Sequence, residues 1–295
     1  MQPIIFFGKE FNINPVAFSL GNAKVHWYGL IILAGFLLNY FLVKYRLRST
    51  LKSDASKGKD PEKADYTFGI NFDDCVDYII GALIIGFLSA RAYFVLFNLE
   101  YYLTYPSEIL KIWHGGIAIY GGILGAAVYA IIFCKKKKIN FWNFADLLVP
   151  YLACAQSIGR WGNFVNQEAY GGVTTLPWKM GIYDSNINAY TYVHPTFLYE
   201  SICTMAIFFI LLKVSKKRKF KGQILYLYAI LYGTARAVIE GLRTDSLMLA
   251  NFRISQVLSV IFVIIFGITY FYASRRRVKG EENSWHYYEN MANLR

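Results

Sequence analysis

Seven predominantly apolar stretches, each roughly 17 to 24 residues long, punctuate this chain, and that is the length a helix needs to cross about 30 Å of hydrocarbon. They run approximately Val25–Val43, Val76–Asn98, Gly115–Phe133, Phe141–Ile158, Pro195–Leu212, Gly222–Leu242 and Ile254–Ala273. A soluble domain breaks its apolar pattern with charge at helical or strand period, so long uncharged runs along all 295 residues exclude a single soluble core. A composition of 56% hydrophobic and 17% charged residues is equally far from that of a disordered chain. The expected fold is an all-α polytopic membrane protein with seven transmembrane helices, forming one integral membrane domain over residues 1–295. The first stretch lies deep in the chain without a small-residue cleavage site behind it, so it is expected to stay in the mature protein.

The basic residues set the expected orientation. Lys44, Arg46, Arg48, Lys52, Lys57, Lys59 and Lys63 follow the first stretch, and Lys135 to Lys138 follow the third. Lys213, Lys216, Lys217, Arg218, Lys219 and Lys221 follow the fifth, and Arg275, Arg276, Arg277, Lys279 and Arg295 follow the seventh. Twenty-two of the 31 basic residues thus fall on alternate connections, which the positive-inside rule makes cytoplasmic. The N-terminus is then extracytoplasmic and the C-terminus cytoplasmic, with a cytoplasmic loop at 44–75, an extracytoplasmic head at 161–194 and a cytoplasmic tail at 274–295. The net charge of +12 is in this way a topology signal rather than a nucleic-acid footprint.

Cys75, Cys134, Cys154 and Cys203 are scattered without paired spacing and read as buried apolar residues. His26, His114, His194 and His286 form no ligand pair at helical spacing, so no metal is expected. Among the basic residues that orientation does not need, Arg91, Arg160 and Arg236 stand in or at the ends of spans. Each costs several kcal/mol in hydrocarbon unless paired or facing a wet cavity, which makes function the default reading.

Arg236, Glu240 and Arg243 stand at i, i+4 and i+7, the spacing of one helix face. An internal Arg236–Glu240 bridge leaves a second cation over, and a surplus cation implies an anion from elsewhere. A second group runs from Gly159 to Gly171 and includes Arg160, Gly162, Asn163, Glu168 and Tyr170. Its arginine can fork onto a phosphate, its asparagine both donates and accepts, and its glycines allow close backbone approach. The small residues of Gly115–Gly125, around Tyr120, permit either tight helix contact or passage of a ligand.

The segment Gly159–Gly171 resembles the signature of the prolipoprotein diacylglyceryl transferases. Further matches follow in that family's order: His26-Trp-Tyr28-Gly29, Gly115–Gly125, His194-Pro-Thr-Phe-Leu-Tyr199-Glu200, Tyr232–Arg243 and Ser255-Gln256-Val-Leu-Ser259. The resemblance covers nearly the whole chain. It implies a bacterial cell-membrane enzyme that moves the diacylglyceryl group of phosphatidylglycerol to the lipobox cysteine of a prolipoprotein signal peptide, releasing glycerol phosphate, with no cofactor and no metal. The partners it implies are phosphatidylglycerol, that signal peptide and the bilayer, with no nucleic acid. On this footing Arg160 holds the lipid headgroup, Arg236 faces the departing phosphate and Glu240 orients Arg236. Tyr28, Asn163, Glu168, Gly171, His194, Tyr199 and Glu200 carry over as site-forming residues. Many family members have His where this chain has Tyr120, and a neutral phenol is a poor base at pH 7. Tyr120 is therefore read as a positioning group, with Glu168, Glu240 and His194 as the alternative bases. A transporter of an anionic substrate is the competing reading, since arginines at Gly-broken helices also suit an anion site. A retinal receptor is excluded because the seventh stretch contains no lysine.

Overall fold

The computed structural model describes residues 2–21, 23–55, 70–244, 248–249 and 252–278. Lys57, Lys59 and Lys63 of the expected cytoplasmic loop lie outside these residues, as do Lys279, His286 and Arg295 of the tail. Eight helices are described: α1 (Trp27–Ala55), α2 (Phe72–Phe97), the short α3 (Leu99–Thr104), α4 (Ile119–Lys137), α5 (Phe141–Asn166), α6 (Thr196–Ser215), α7 (Gln223–Glu240) and α8 (Ile254–Val278). A long helix stands at each of the seven apolar stretches. Five of them, α1, α2, α4, α6 and α8, are long and apolar enough to cross a membrane. Large side chains such as Ile80, Leu83, Ile84 and Leu88 of α2 face outward, as they do where lipid is the solvent. The chain is thus a mostly helical, multi-pass membrane protein. The polar side chains of α5 and α7, which lower their hydropathy, belong to the structure described next.

Three small antiparallel sheets add to the helices and qualify the all-α expectation. Strands β1 (Ile4–Phe6) and β2 (Lys9–Phe11) form a hairpin, β3 (Val16–Leu20) pairs with β4 (Ala23–His26), and β7 (Met248–Leu249) pairs with β8 (Phe252–Arg253). Strands β5 (Met180–Asp184) and β6 (Ala189–Val193) join the first hairpin in a four-stranded sheet of order β2-β1-β5-β6. The head expected from residues 161–194 therefore recruits the N-terminal strands, and its first residues, 161–166, belong to α5. The β1–β2 turn, Phe7-Gly8, has φ of 49° and 73°, the primed geometry that matches strand twist. Period-two alternation buries Ile4 and Phe6 on one face, where they meet Met180, Ile182, Phe164, Val165 and Phe197. This core fixes the sheet to the end of α5 and the start of α6.

The chain forms two compact units, one of Met1–Tyr45 with Ala145–Arg295 and one of Arg46–Phe144. In the smaller unit α2 and α4 pack through glycine. A Cβ on Gly121 would stand 2.7 Å from the Ser89 carbonyl oxygen, and one on Gly125 would stand 2.4 Å from Ser89 Cβ. Of the two uses the sequence left open for this glycine run, close helix contact is the one realised at these positions. Arg91, a candidate for function on its cost in hydrocarbon, instead fixes the chain before α4. Its Nε donates to the Ile109 carbonyl at 3.0 Å, Nη2 to Glu108 at 2.6 Å, and Nη1 to Gly115 and Gly116 at 2.7 and 2.8 Å. Four carbonyls satisfy the buried guanidinium, so it does not require an anion. The Glu108 side chain accepts from Lys111 and His114 at 2.6 and 2.7 Å, and these bonds hold its carboxyl below the usual carboxylate range. The clasp is complete at neutral pH and is lost as pH falls through that lowered value.

In the larger unit the N-terminus of α7 is capped from another helix. Its N-cap position is Gly222, which has no side chain to offer, and Asp146 of α5 supplies the missing acceptor. The Asp146 carboxylate takes the amides of Gly222, Ile224 and Leu225 at 2.8, 3.0 and 2.9 Å, and Arg218 Nη1 at 2.9 Å. Both side chains are buried, so Arg218, counted among the orienting cations in the sequence, is a structural ion-pair partner. Asp146→Ala would strand a buried guanidinium and three amides, at a cost of about 3–5 kcal/mol. The expected outcome is a marked drop in the thermal unfolding midpoint in detergent, with Asp146→Asn, which keeps an acceptor oxygen, falling between the two.

Candidate active site

The site is built where the end of α5, the start of α6 and the end of α7 converge in the larger unit. Helix α5 closes with a Schellman turn: Glu168 N–H donates to the Asn163 carbonyl at 3.0 Å, and Gln167 N–H to the Phe164 carbonyl at 3.1 Å. Gln167 occupies the left-handed position, φ 54°, that glycine usually takes, and Ala169 follows at 58°. Strain of this kind, of order 1–3 kcal/mol per residue, gathers at functional turns. It folds the chain back, so that Glu168 Oε1 accepts from Asn163 Nδ2 at 2.9 Å and Asn166 Nδ2 at 3.3 Å. Asn163 Oδ1 in turn accepts from Arg160 Nη1 at 3.4 Å.

Arg160 reaches Glu200, one turn into α6, through its Nε against Oε2. The other carboxylate oxygen, Oε1, accepts from Nη1 of Arg236 on α7. Arg236 Nη2 meets Glu240 Oε2 at 2.7 Å, the i, i+4 bridge expected within the helix. One continuous chain of polar contacts therefore runs Glu168, Asn163, Arg160, Glu200, Arg236, Glu240. The anion from elsewhere is Glu200, and it serves Arg160 and Arg236 rather than Arg243, the cation that the helix spacing left over. The carboxylates lie deepest, with side chains 4% and 2% exposed, while Arg160 and Arg236 are 23% and 17% exposed. An approaching anion would meet the guanidiniums first.

The backbone around the cluster is stitched through Gly171 and Gly172. Gly171 N–H donates to the His194 carbonyl at 2.9 Å, His194 N–H to Gly172 at 3.0 Å, and Gly172 N–H to Leu242 at 2.9 Å. A Cβ on Gly171 would lie 2.8 Å from both His194 Cβ and the Leu242 carbonyl oxygen, so only glycine fits this seam between the start of α6 and the end of α7. Arg243 does not extend the helix face expected from its spacing. Helix α7 stops at Glu240, and Arg243 pairs its backbone with Gly171 in the turn beyond. Arg253 Nη1 donates to the Glu240 carbonyl at 2.6 Å and Gln256 Nε2 to the Ala237 carbonyl at 3.0 Å, fixing the same helix end from α8 and the strand before it.

The remaining expected residues divide. Tyr28 of α1 packs its ring against Gly162, where a Cβ would stand 2.2 Å from Tyr28 Cδ2. His194 Nδ1 and the Tyr199 hydroxyl lie 3.2 Å apart, and Trp178 Nε1 donates to that hydroxyl at 2.8 Å, a small constellation separate from the arginine contacts. Tyr120 is the second residue of α4 and belongs to the smaller unit. Sequence reasoning passed over Trp178, Asp146 and the Ser157–Ser201 pair, whose hydroxyls hydrogen-bond each other and the opposing carbonyls to hold α5 against α6. Each depends on partners far away in the chain. Only Asp146, an acid inside an apolar stretch, carried a signal that could have been read.

Beside the cluster an apolar cleft of about 300 Å³ opens between Ser157, Ile158 and Trp161 of α5 and Leu198, Ile202 and Met205 of α6. Its lining residues Trp161 and Ser201 directly follow Arg160 and Glu200 in the chain. The arrangement can therefore hold an anionic group at the arginines and an apolar chain in the cleft, the two halves of an amphiphile.

Residues 15–272 match the family model of prolipoprotein diacylglyceryl transferase. Phosphatidylglycerol–prolipoprotein diacylglyceryl transferases from Staphylococcus aureus strains MSSA476, MW2 and JH9 are each 43% identical over 266 residues, which covers 88% of this chain and 88% of the relative. A family model matched over residues 15–272 and an identity sustained over nearly nine-tenths of both chains lead to one assignment: the chain belongs to the prolipoprotein diacylglyceryl transferase family.

Proposed function

We propose that the chain transfers the sn-1,2-diacylglyceryl group of phosphatidylglycerol to the lipobox cysteine thiol of prolipoproteins in the bacterial cell membrane. The observation that carries this reading is the arginine pair, Arg160 with Arg236, set beside an apolar cleft. A headgroup phosphate suits the first and an acyl chain the second. Family membership disfavours the anion-transporter alternative.

The reaction is a displacement at a glyceryl carbon. The thiolate sulfur forms a bond to that carbon, the carbon–oxygen bond to phosphate breaks, and glycerol phosphate departs with the electron pair. Charge gathers on the leaving phosphate, where fixed guanidinium donors in a water-poor site stabilise it. Arg160, backed by Asn163 and Glu168, positions the headgroup; Arg236, oriented by Glu240, faces the leaving oxygen. Tyr28, Gly171, His194 and Tyr199 shape the surroundings, and Tyr120 positions substrate by a hydrogen bond. Seven spans with an external N-terminus fit this chemistry. Helices α5 and α7, too polar to stand alone in lipid, then cross inside the bundle, where buried polar residues are tolerated.

Purified protein incubated with labelled phosphatidylglycerol and a lipobox peptide is expected to place label on the peptide cysteine and release glycerol phosphate; absence of both would overturn the proposal. Arg160→Ala and Arg236→Ala should each abolish transfer in protein that still inserts and folds. Lysine at either position should leave the rate at least roughly tenfold below the parent, since the planar fork is lost. Tyr120→Phe should retain substantial activity in the same assay, and near-complete loss in a folded variant would make the hydroxyl itself essential.

A further inference from the structure

The structure assigns Glu200 a role beyond bracing the arginines: we infer that it is an exchangeable internal anion, which the substrate phosphate displaces from both guanidiniums. The inference rests on the transferase reading above and deepens it.

Both arms of the Arg236 fork are engaged, Nη1 by Glu200 and Nη2 by Glu240. A phosphate that takes these same charge-paired donors does so only where one carboxylate yields. Glu240 is tied to Arg236 within one helix, and the backbone at its position is pinned by Arg253. Glu200 comes from a different helix and spans both arginines with its two oxygens, so a single withdrawal frees a donor on each guanidinium. The exchange is matched in charge. Two arginines and two glutamates are neutral together, and a phosphodiester brings one negative charge, the same as the carboxylate it replaces.

Among the described residues, the charged groups around Glu200 are Arg160 on α5 and Arg236 and Glu240 on α7. After the carbon–oxygen bond breaks, glycerol phosphate carries up to two charges and holds the arginines harder than the diester did. Returning Glu200 to both guanidiniums is what evicts it.

The test uses glycerol 1-phosphate as probe and the full-length protein in detergent. At pH 8, where the free probe is a dianion, calorimetry compares its affinity for the parent and for Glu200→Gln. Glu200→Gln, lacking the competitor, should bind the probe roughly tenfold more tightly, as expected for removing one nearby like charge. It should also show a lower KM for phosphatidylglycerol together with a lower kcat, because product leaves slowly. Should Glu200→Gln not fold, Glu200→Asp keeps the charge but is too short to span both arginines, and should bind the probe more tightly by a smaller factor. A carboxylate that only braces the arginines predicts the opposite, weaker binding in both variants, and that result overturns the inference. If the parent labels peptide but the variants show this pattern, Glu200 alone is misassigned; if it labels none, the transferase reading fails independently.

Discussion

Everything in the larger unit is arranged around the cost of keeping charge out of water. Two guanidiniums near hydrocarbon are tolerable only with counter-charges, and Glu200 and Glu240 provide them from two different helices. That requirement fixes which helices must meet. Helix α6 has to bring Glu200 between α5 and α7, and the Ser157–Ser201 contact and the Gly171 seam hold it there. Charge pairing here acts as a specificity device rather than as a source of stability, since a well-packed apolar replacement would often be equally stable.

The same economy separates two kinds of arginine that look alike in the sequence. Arg91 and Arg236 both stand in the long apolar stretches of the sequence, and both invite a functional reading. Arg91 spends its donors on four carbonyls and closes a loop, leaving few of them for a ligand to engage. Arg236 spends its donors on carboxylates, which an anion can replace one for one. The partner, not the burial, distinguishes a structural cation from one able to bind substrate.

Apolar run length located the seven long helices to within a few residues at most ends, because a bilayer imposes a length that a soluble core does not. The Arg236–Glu240 bridge was equally legible, being set by helical spacing alone. Glu200 was recognisable as a site residue only by resemblance, and its position between both arginines was not, because no local pattern links residues 160, 200 and 236. The four-stranded sheet was missed for a similar reason. Ile4–Phe6 is too short to read as a strand, and its neighbour β5 lies some 170 residues away. Asp146 capping α7 is the plainest case, since the empty Gly222 cap and the acid that fills it share no sequence neighbourhood.

The N-terminal hairpin has a consequence for how the chain is made. Strand β1 lies inside its sheet, between β2 and β5, so it cannot be completed by local pairing alone. At a synthesis rate of about 5–20 residues per second, Met180 follows Phe6 by roughly 9–35 s. Throughout that interval Ile4 and Phe6, later buried, face their surroundings with one strand edge open. Lys9 and Glu10 on the outer strand are charged, a composition that discourages pairing with a foreign edge during the wait. Ile4–Phe6 is thus made well before the strand that completes its sheet.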